Sequence, residues 1–195
     1  MYKSSSESWT FLKEVYHSKD LPTESLAEFV FWGRSNVGKS SLINSLTNTN
    51  LAKISRSPGR TKSLIFYELE KKIRLVDFPG YGFSAISQNE KNKLDKLIDF
   101  YFHNRNTIKK IFLLIDSRLG FKPIDKIFYK NLEDIFSKDL CIIFTKIDKK
   151  KAISLENLIP DEIRFNFDYQ KNLFATSIKH INEIILLKKF LFKSL

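Results

Sequence analysis

"GRSNVGKSSLINSL", Gly33 to Leu46, places four residues between two glycines, follows them with a lysine and a serine, and then adopts an apolar spacing that suits a helix. Gly33 to Ser40 match G-x-x-x-x-G-K-[ST], the phosphate-binding P-loop. The flanks are those the loop needs. "EFVFW" (28–32) reads as a buried strand running straight into Gly33, and Ser40 to Leu46 read as a helix that turns Leu42, Ile43 and Leu46 inward. In this setting the backbone N–H groups of Gly33, Arg34, Ser35, Asn36, Val37, Gly38, Lys39, Ser40 and Ser41 can close around phosphate oxygens, helped by the helix N-terminus. Lys39 would reach the β- and γ-phosphates, and the Ser40 hydroxyl would ligate Mg²⁺.

Outward from the loop, strands and helices alternate. "SLIFYELE" and "KIRLVDF" read as two strands joined by a tight turn near Lys71. Helices at about 90–104 and 123–137 precede the strands "KIFLLID" (110–116) and "DLCIIFT" (139–145), and "NLFAT" (172–176) leads to a closing helix from Asn182 to Phe192. Such alternation predicts an α/β fold of three layers, α/β/α, with a mostly parallel sheet and one antiparallel edge strand. Residues 1–27 read as a polar N-terminal extension with a short helix, ahead of a domain spanning 28–195.

The strand ends carry the remaining chemistry. The six glycines lie at 33, 38, 59, 80, 82 and 120, and five of them fall in candidate nucleotide segments, where backbone must approach a ligand or take positive φ. "DFPG" (Asp77, Phe78, Pro79, Gly80) follows a strand, so Asp77 would hold Mg²⁺ through water and the Gly80 N–H would meet the γ-phosphate. "TKID" (Thr145, Lys146, Ile147, Asp148) selects the base. The Asp148 carboxylate can accept from guanine N1–H and its 2-amino group, whereas adenine leaves a buried carboxylate unpaired. The Lys146 stem can lie along the purine while its charge stays wet, and Thr176, Ser177 and Ile178 can offer amides to the guanine O6. The predicted ligand is therefore GTP or GDP with Mg²⁺.

Composition bounds the rest. The 195 residues are 43% hydrophobic and 28% charged, enough for one buried core. No apolar run approaches the roughly 18 residues of a membrane span. The first residues lack an apolar h-region and carry Glu7, Glu14 and Asp20, which argues against a secretory or transit signal. Cys141 lies inside an apolar run as a core residue and suits a reducing cytoplasm. The net charge of +11 attracts nucleic acid or anionic membrane, or reflects a lysine-rich composition. Leu51 to Ser63 hold Lys53, Arg56, Arg60 and Lys62 with no acid. His17, His103 and His180 have no metal-ligand spacing, and the C-terminal "LLKKFLFKSL" reads as a packed helix rather than a membrane anchor.

"GRSNVGKSSLIN", "SPGRTKSLIFYEL", "RLVDFPGYGF", "IDSRLGFKPID" and "FTKIDK" resemble the EngB family of bacterial GTPases, from about Leu21 to the C-terminus. The resemblance implies a Ras-like G domain over 28–195, dependence on GTP and Mg²⁺, and a role in assembly of the large ribosomal subunit, with defects in division and septation on loss. It implies a cytoplasmic monomer whose partners are the large-subunit precursor and its rRNA, with no membrane. The "PGRT" threonine maps to Thr61, expected to ligate Mg²⁺ as a catalytic switch residue, with Gly59, Arg60, Lys62 and Ser63 near the phosphates. Two departures stand out: Ser84-Ala85 replace a basic position after "GYGF", and no glycine follows "KHIN".

Ras-type enzymes orient the attacking water with a glutamine after D-x-x-G. Tyr81 occupies that place, so slow intrinsic hydrolysis is expected. Asn36 either holds a K⁺ against the phosphates as a catalytic cation site or simply tolerates the loop's backbone. A basic first switch loop could report nucleotide state to rRNA. The alternatives are the G domain of another translation-associated or tRNA-modification GTPase, and a P-loop module that binds without hydrolysing. The intact Lys39, Ser40, Thr61 and Asp77 speak against the latter.

Overall fold

The apolar runs flanking each candidate loop become strands of one seven-stranded sheet, in the order β1-β3-β4-β2-β5-β6-β7. The computed structural model describes residues 8–53, 63–82, 87–136, 139–149, 154–164 and 167–195. Its strands are β1 (Trp9–Val15), β2 (Ala27–Gly33), β3 (Leu64–Leu69), β4 (Ile73–Asp77), β5 (Ile108–Asp116), β6 (Leu140–Thr145) and β7 (Leu173–Ala175). The helices are α1 (Lys39–Thr47), α2 (Gln88–Asn104), α3 (Pro123–Phe136), the single turns α4 (Asp161–Arg164) and α5 (Tyr169–Asn172), and α6 (Ile181–Lys193). β4, β2, β5, β6 and β7 pair in parallel, and antiparallel pairing is confined to one edge, where β3 runs against its neighbours. Glu70 and Lys71 turn β3 into β4 with φ of 43° and 57°, as a tight hairpin of the observed twist requires.

β2 shows why the sheet needs helices on both faces. Phe29 and Phe31 pack with Leu42, Ile43 and Leu46 of α1 and Leu187 and Leu191 of α6. Val30 and Trp32 point the other way, into a core shared with Leu97, Tyr101 and Phe102 of α2 and Tyr129 and Leu132 of α3. Successive side chains of a strand face opposite sides, so a run apolar at every position is buried on both. Cys141 is fully buried in the core that holds Phe29 and Phe31, and burial pushes its thiol up to about 12.

The N-terminal segment departs from expectation. Residues 9–15 form the sheet-edge strand β1, which the reading of 1–27 as a polar extension did not include, while the expected short helix is a single 3-10 turn at Ser18–Asp20. The pairing register shifts between Phe11 and Lys13, so Trp9 and Val15 join opposite cores although six positions apart. A bulge that reverses the alternation hides the strand from its sequence pattern. α2 begins at a capping box, Ser87 with Glu90, in which each side chain meets the other's amide.

This topology gathers Gly33, Asp77, Asp116, Thr145 and Ala175 at the carboxyl ends of the parallel strands. That edge is where open α/β sheets hold ligands.

Candidate nucleotide-binding site

The P-loop is shaped by two close approaches and two left-handed residues. A Cβ on Gly33 would lie 2.8 Å from the Leu114 carbonyl oxygen, so only glycine lets β2 end against β5. Asn36 and Gly38 take φ of 64° and 110°. These turns reverse the chain into α1, whose first bond runs from the Leu42 N–H to the Gly38 carbonyl at 2.9 Å. Outside donors occupy the loop carbonyls: Thr145 Oγ1 on Val37 at 2.7 Å and Lys146 Nζ on Asn36 at 2.7 Å. Among the described residues, the amides of Asn36, Gly38, Lys39, Ser40 and Ser41 make no hydrogen bond within the chain. Consecutive unpaired amides at a helix start form an anion site.

The DFPG turn packs directly onto this loop. A Cβ on Gly80 would sit 2.8 Å from Ser35 Oγ and 2.9 Å from Ser35 N. The Ser35 N–H donates to the Tyr81 carbonyl at 3.2 Å, the Tyr81 N–H returns to Gly33 at 3.3 Å, and the Phe78 N–H extends β4 onto Phe31 at 3.0 Å. Trp32 Nε1 donates to the Pro79 carbonyl at 2.9 Å. Lys39 and Asp77 form a buried ion pair. Burial pushes the Asp77 carboxyl up, and the Lys39 ammonium opposes that shift.

Tyr81 is fully committed to structure. Its hydroxyl donates to Asp125 Oδ1 at 2.9 Å, and its ring stacks on Phe128 at 3.9 Å with planes 8° apart. Arg34 Nε donates to the same Asp125 oxygen at 3.0 Å, and the Lys122 N–H donates to Oδ2 at 2.7 Å. One buried carboxylate of α3 thus joins the P-loop to the turn beyond DFPG.

At the far end, β6 stops at Thr145 and Lys146 takes φ of 59°. Lys146 Nζ bridges the Asn36 carbonyl, at 2.7 Å, and Asp116 Oδ2, at 2.8 Å. Burial works against ionised Asp116, but hydrogen bonds from Arg118 and Lys146 hold its carboxyl well below the usual range. Asp148 Oδ1 accepts from Ser177 Oγ at 2.8 Å, and Lys179 Nζ lies 3.4 Å from its other oxygen. The Ser177 hydrogen bond leads in lowering the Asp148 carboxyl below its ordinary value. Of the three amides expected to face a guanine O6, those of Thr176 and Ser177 are already bonded. They donate to the Phe144 carbonyl at 2.8 Å and to Glu183 Oε2 at 3.1 Å. The Ile178 amide makes no hydrogen bond among the described residues, and its side chain is exposed.

The structure therefore brings residues 33–41, 77–80, 145–148 and 176–178 to one edge of the sheet. Ser63 is buried at the start of β3, where its hydroxyl donates to Glu14 of β1 at 2.6 Å. Gly59, Arg60, Thr61 and Lys62 lie outside the described residues, as do Arg56, Ser84 and Ala85. Sequence reasoning missed Asp116, Arg118 and Asp125. A strand-ending aspartate in "KIFLLID" was a usable signal for Asp116. Asp125 looks like an ordinary first-turn helix acid and does cap α3 through the Lys122 amide, which masks its second role.

A family model of 50S ribosome-binding GTPases matches residues 28–146. The "Probable GTP-binding protein EngB" of Metamycoplasma arthritidis is 40% identical over 172 residues, covering 87% of this chain and 91% of that protein. The EngB protein of Wolbachia pipientis wMel is 37% identical over 200 residues, covering 99% and 98%. A crystal structure of an EngB GTP-binding protein superposes with a TM-score of 0.67 at 26% identity, over 86% of this chain and 98% of that one. Era from Aquifex aeolicus shares the fold, with a TM-score of 0.65 at 24% identity over 88% of this chain and 57% of its own. The P-loop, the turn packed on it and a matching family over most of the chain agree: the chain belongs to the EngB family of GTP-binding proteins and is a P-loop GTPase.

Proposed function

We propose that this GTPase is a Mg²⁺-dependent cytoplasmic switch, acting as a monomer in assembly of the large ribosomal subunit, with division and septation failing when it is lost. The row of amides at Asn36, Gly38, Lys39, Ser40 and Ser41, which make no hydrogen bond among the described residues, carries the nucleotide half of this reading. Those groups suit the β- and γ-phosphates, and the flanking Gly33, Arg34, Ser35 and Val37 set the curvature. Nucleotide entry exchanges the Lys39–Asp77 pair for Lys39 on phosphate oxygens, which releases the Asp77 carboxylate. Ser40 and Thr61 would hold Mg²⁺ directly and Asp77 through water. The donor set fits, since hydroxyl and carboxylate oxygens suit a hard cation that keeps part of its water shell. Held there, the cation would supply neutralisation of the phosphate charge. The Gly80 amide would meet the γ-phosphate, and the family resemblance puts Gly59, Arg60, Thr61, Lys62 and Ser63 near the phosphates.

At the base, Asp148 accepts from guanine N1–H and the 2-amino group, Lys146 lies along the ring, and Thr145 and Ile147 fix the turn. The Ile178 amide reaches O6, while Thr176 and Ser177 brace that loop. Discrimination follows from donor matching: guanine offers Asp148 the N1–H and 2-amino pair, and adenine does not. Tyr81 cannot orient water while it is bonded to Asp125 and stacked on Phe128, so unassisted hydrolysis is slow. Asn36 presents an exposed amide beside the phosphate loop and is the candidate K⁺ ligand. Faster phosphate release in KCl than in NaCl is expected, and equal rates reduce Asn36 to a loop former.

The cellular half is tested by cosedimentation with ribosomal subunits. Large-subunit particles should retain more protein with a non-hydrolysable GTP analogue than with GDP. Equal retention, or binding to the small subunit alone, contradicts it.

A further inference from the structure

A second concave site lies at the opposite end of the sheet. It is a groove of about 1320 Å³ at the amino ends of β5, β6 and β7, closed on one side by the last turns of α6. β5 alone runs about 26 Å from this end to the nucleotide edge, at ~3.3 Å per residue. Five lysines line the groove: Lys109, Lys110, Lys171, Lys189 and Lys193. Its side-chain acids, Asp139 and Asp168, already pair with Lys110 at 3.0 Å and Lys171 at 3.4 Å. Among the described residues, Lys109, Lys189 and Lys193 form no salt bridge with a carboxylate. Lys189 and Lys193 are exposed and four residues apart on α6, so they share one face of the helix. Between the lysines, Phe174 and Phe190 are partly exposed, with ring centroids 4.7 Å apart.

We propose that this groove binds single-stranded RNA through its phosphate backbone, independently of the GTP state. A basic furrow with partly exposed aromatic side chains in its wall suits non-specific single-strand recognition, in which charge follows the backbone and bases can lie against rings. The groove is open to solvent rather than an enclosed cavity of the kind that buries a small molecule, which favours an extended polyanion. Concavity favours a strand over a flat anionic bilayer. Lysines, rather than fork-shaped guanidinium groups, fit loose contact with successive phosphates better than bidentate recognition of one. The proposal rests on the ribosome-assembly reading only for the identity of the RNA in the cell; the surface itself is separate from the nucleotide site.

The test is fluorescence anisotropy with labelled oligo(U) of about 20 nucleotides, longer than the roughly 4–16 nucleotides a compact single-strand site covers. It uses the full chain loaded with GDP or with a GTP analogue. Binding should be equal in both states and weaken as KCl rises. The double variant K189E/K193E should bind at least about tenfold more weakly, with the slope of log affinity against log salt reduced by about 1.4, the yield of two lost phosphate contacts. K93E/K96E on α2 makes the same charge change away from the groove and should bind like the parent. Parent-like affinity in K189E/K193E, equal loss in both variants, or capture by phosphatidylserine vesicles without oligo(U) binding would overturn the proposal. Guanine-nucleotide affinity is measured on the same samples. Groove-dependent oligo(U) binding without it leaves this inference standing and removes the GTP reading, and the converse result does the opposite.

Discussion

Lys39 and Asp77 face each other in a buried pair, and the Lys39 cation is also the group best placed to move onto a phosphate. Lys39→Ala should lower steady-state phosphate release at saturating GTP by about 10²–10³-fold, the usual effect of deleting one preorganised charge donor. A rate within a few-fold of the parent would place the phosphates elsewhere. Gly80 leaves no room for a methyl group, since its Cβ would lie 2.8 Å from Ser35 Oγ and 2.9 Å from Ser35 N. Gly80→Ala should cost about 1–3 kcal/mol in urea unfolding, the range for forcing atoms into packed space; an unchanged midpoint would mean that the loop yields freely. These positions were legible because a phosphate loop leaves no freedom in residue type at its turns. The commitment of the Thr176 and Ser177 amides was not, because their acceptors, Phe144 and Glu183, lie on other elements.

Between elements, Asp125 is the tie that binds the P-loop, the turn after DFPG and α3. Asp125→Ala strands the largely buried Arg34 guanidinium and the Tyr81 hydroxyl, so a loss of about 3 kcal/mol is expected by denaturant titration. Tyr81→Phe removes one neutral donor and should cost only about 0.5–1.5 kcal/mol. Similar losses in the two variants would contradict a charge-centred tie. Asp116 supplies the pH dependence. Its folded carboxyl titrates below the unfolded value near 3.9, so its contribution is present above about pH 4 and disappears as pH falls through the folded value. The stability gap between the parent and Asp116→Asn should shrink on acidification from about pH 6 to pH 3, and a constant gap would refute the assignment. The sequence pattern reveals elements buried on both faces, such as β2 and β5, almost to their ends. It conceals β1, where Trp9 and Val15 are buried at the two ends and the intervening side chains are exposed.

Over the whole molecule, the net charge of +11 includes a basic stretch of sequence, Leu51 to Ser63, and a lysine-lined groove at the amino ends of β5, β6 and β7. The first was legible from residue order alone. The second draws lysines from β5, α5 and α6, more than 80 positions apart in the chain, and only the topology assembles it. The proposed association with the large subunit should weaken by about 10³–10⁵ between 50 and 200 mM salt if some 6–10 phosphates are contacted; salt-independent association would point to protein contacts. The central proposal is narrower: the amides of Asn36 and of Gly38 through Ser41 enclose phosphates, and Asp148 chooses guanine. Calorimetric titration with GTP and ATP, on the parent chain and Asp148→Ala, tests it most directly. GTP should bind the parent far more tightly than ATP, and the variant should lose about 1.5–3 kcal/mol of GTP affinity with ATP unchanged; equal affinity of the parent for the two nucleotides, or affinity for neither, would contradict the account.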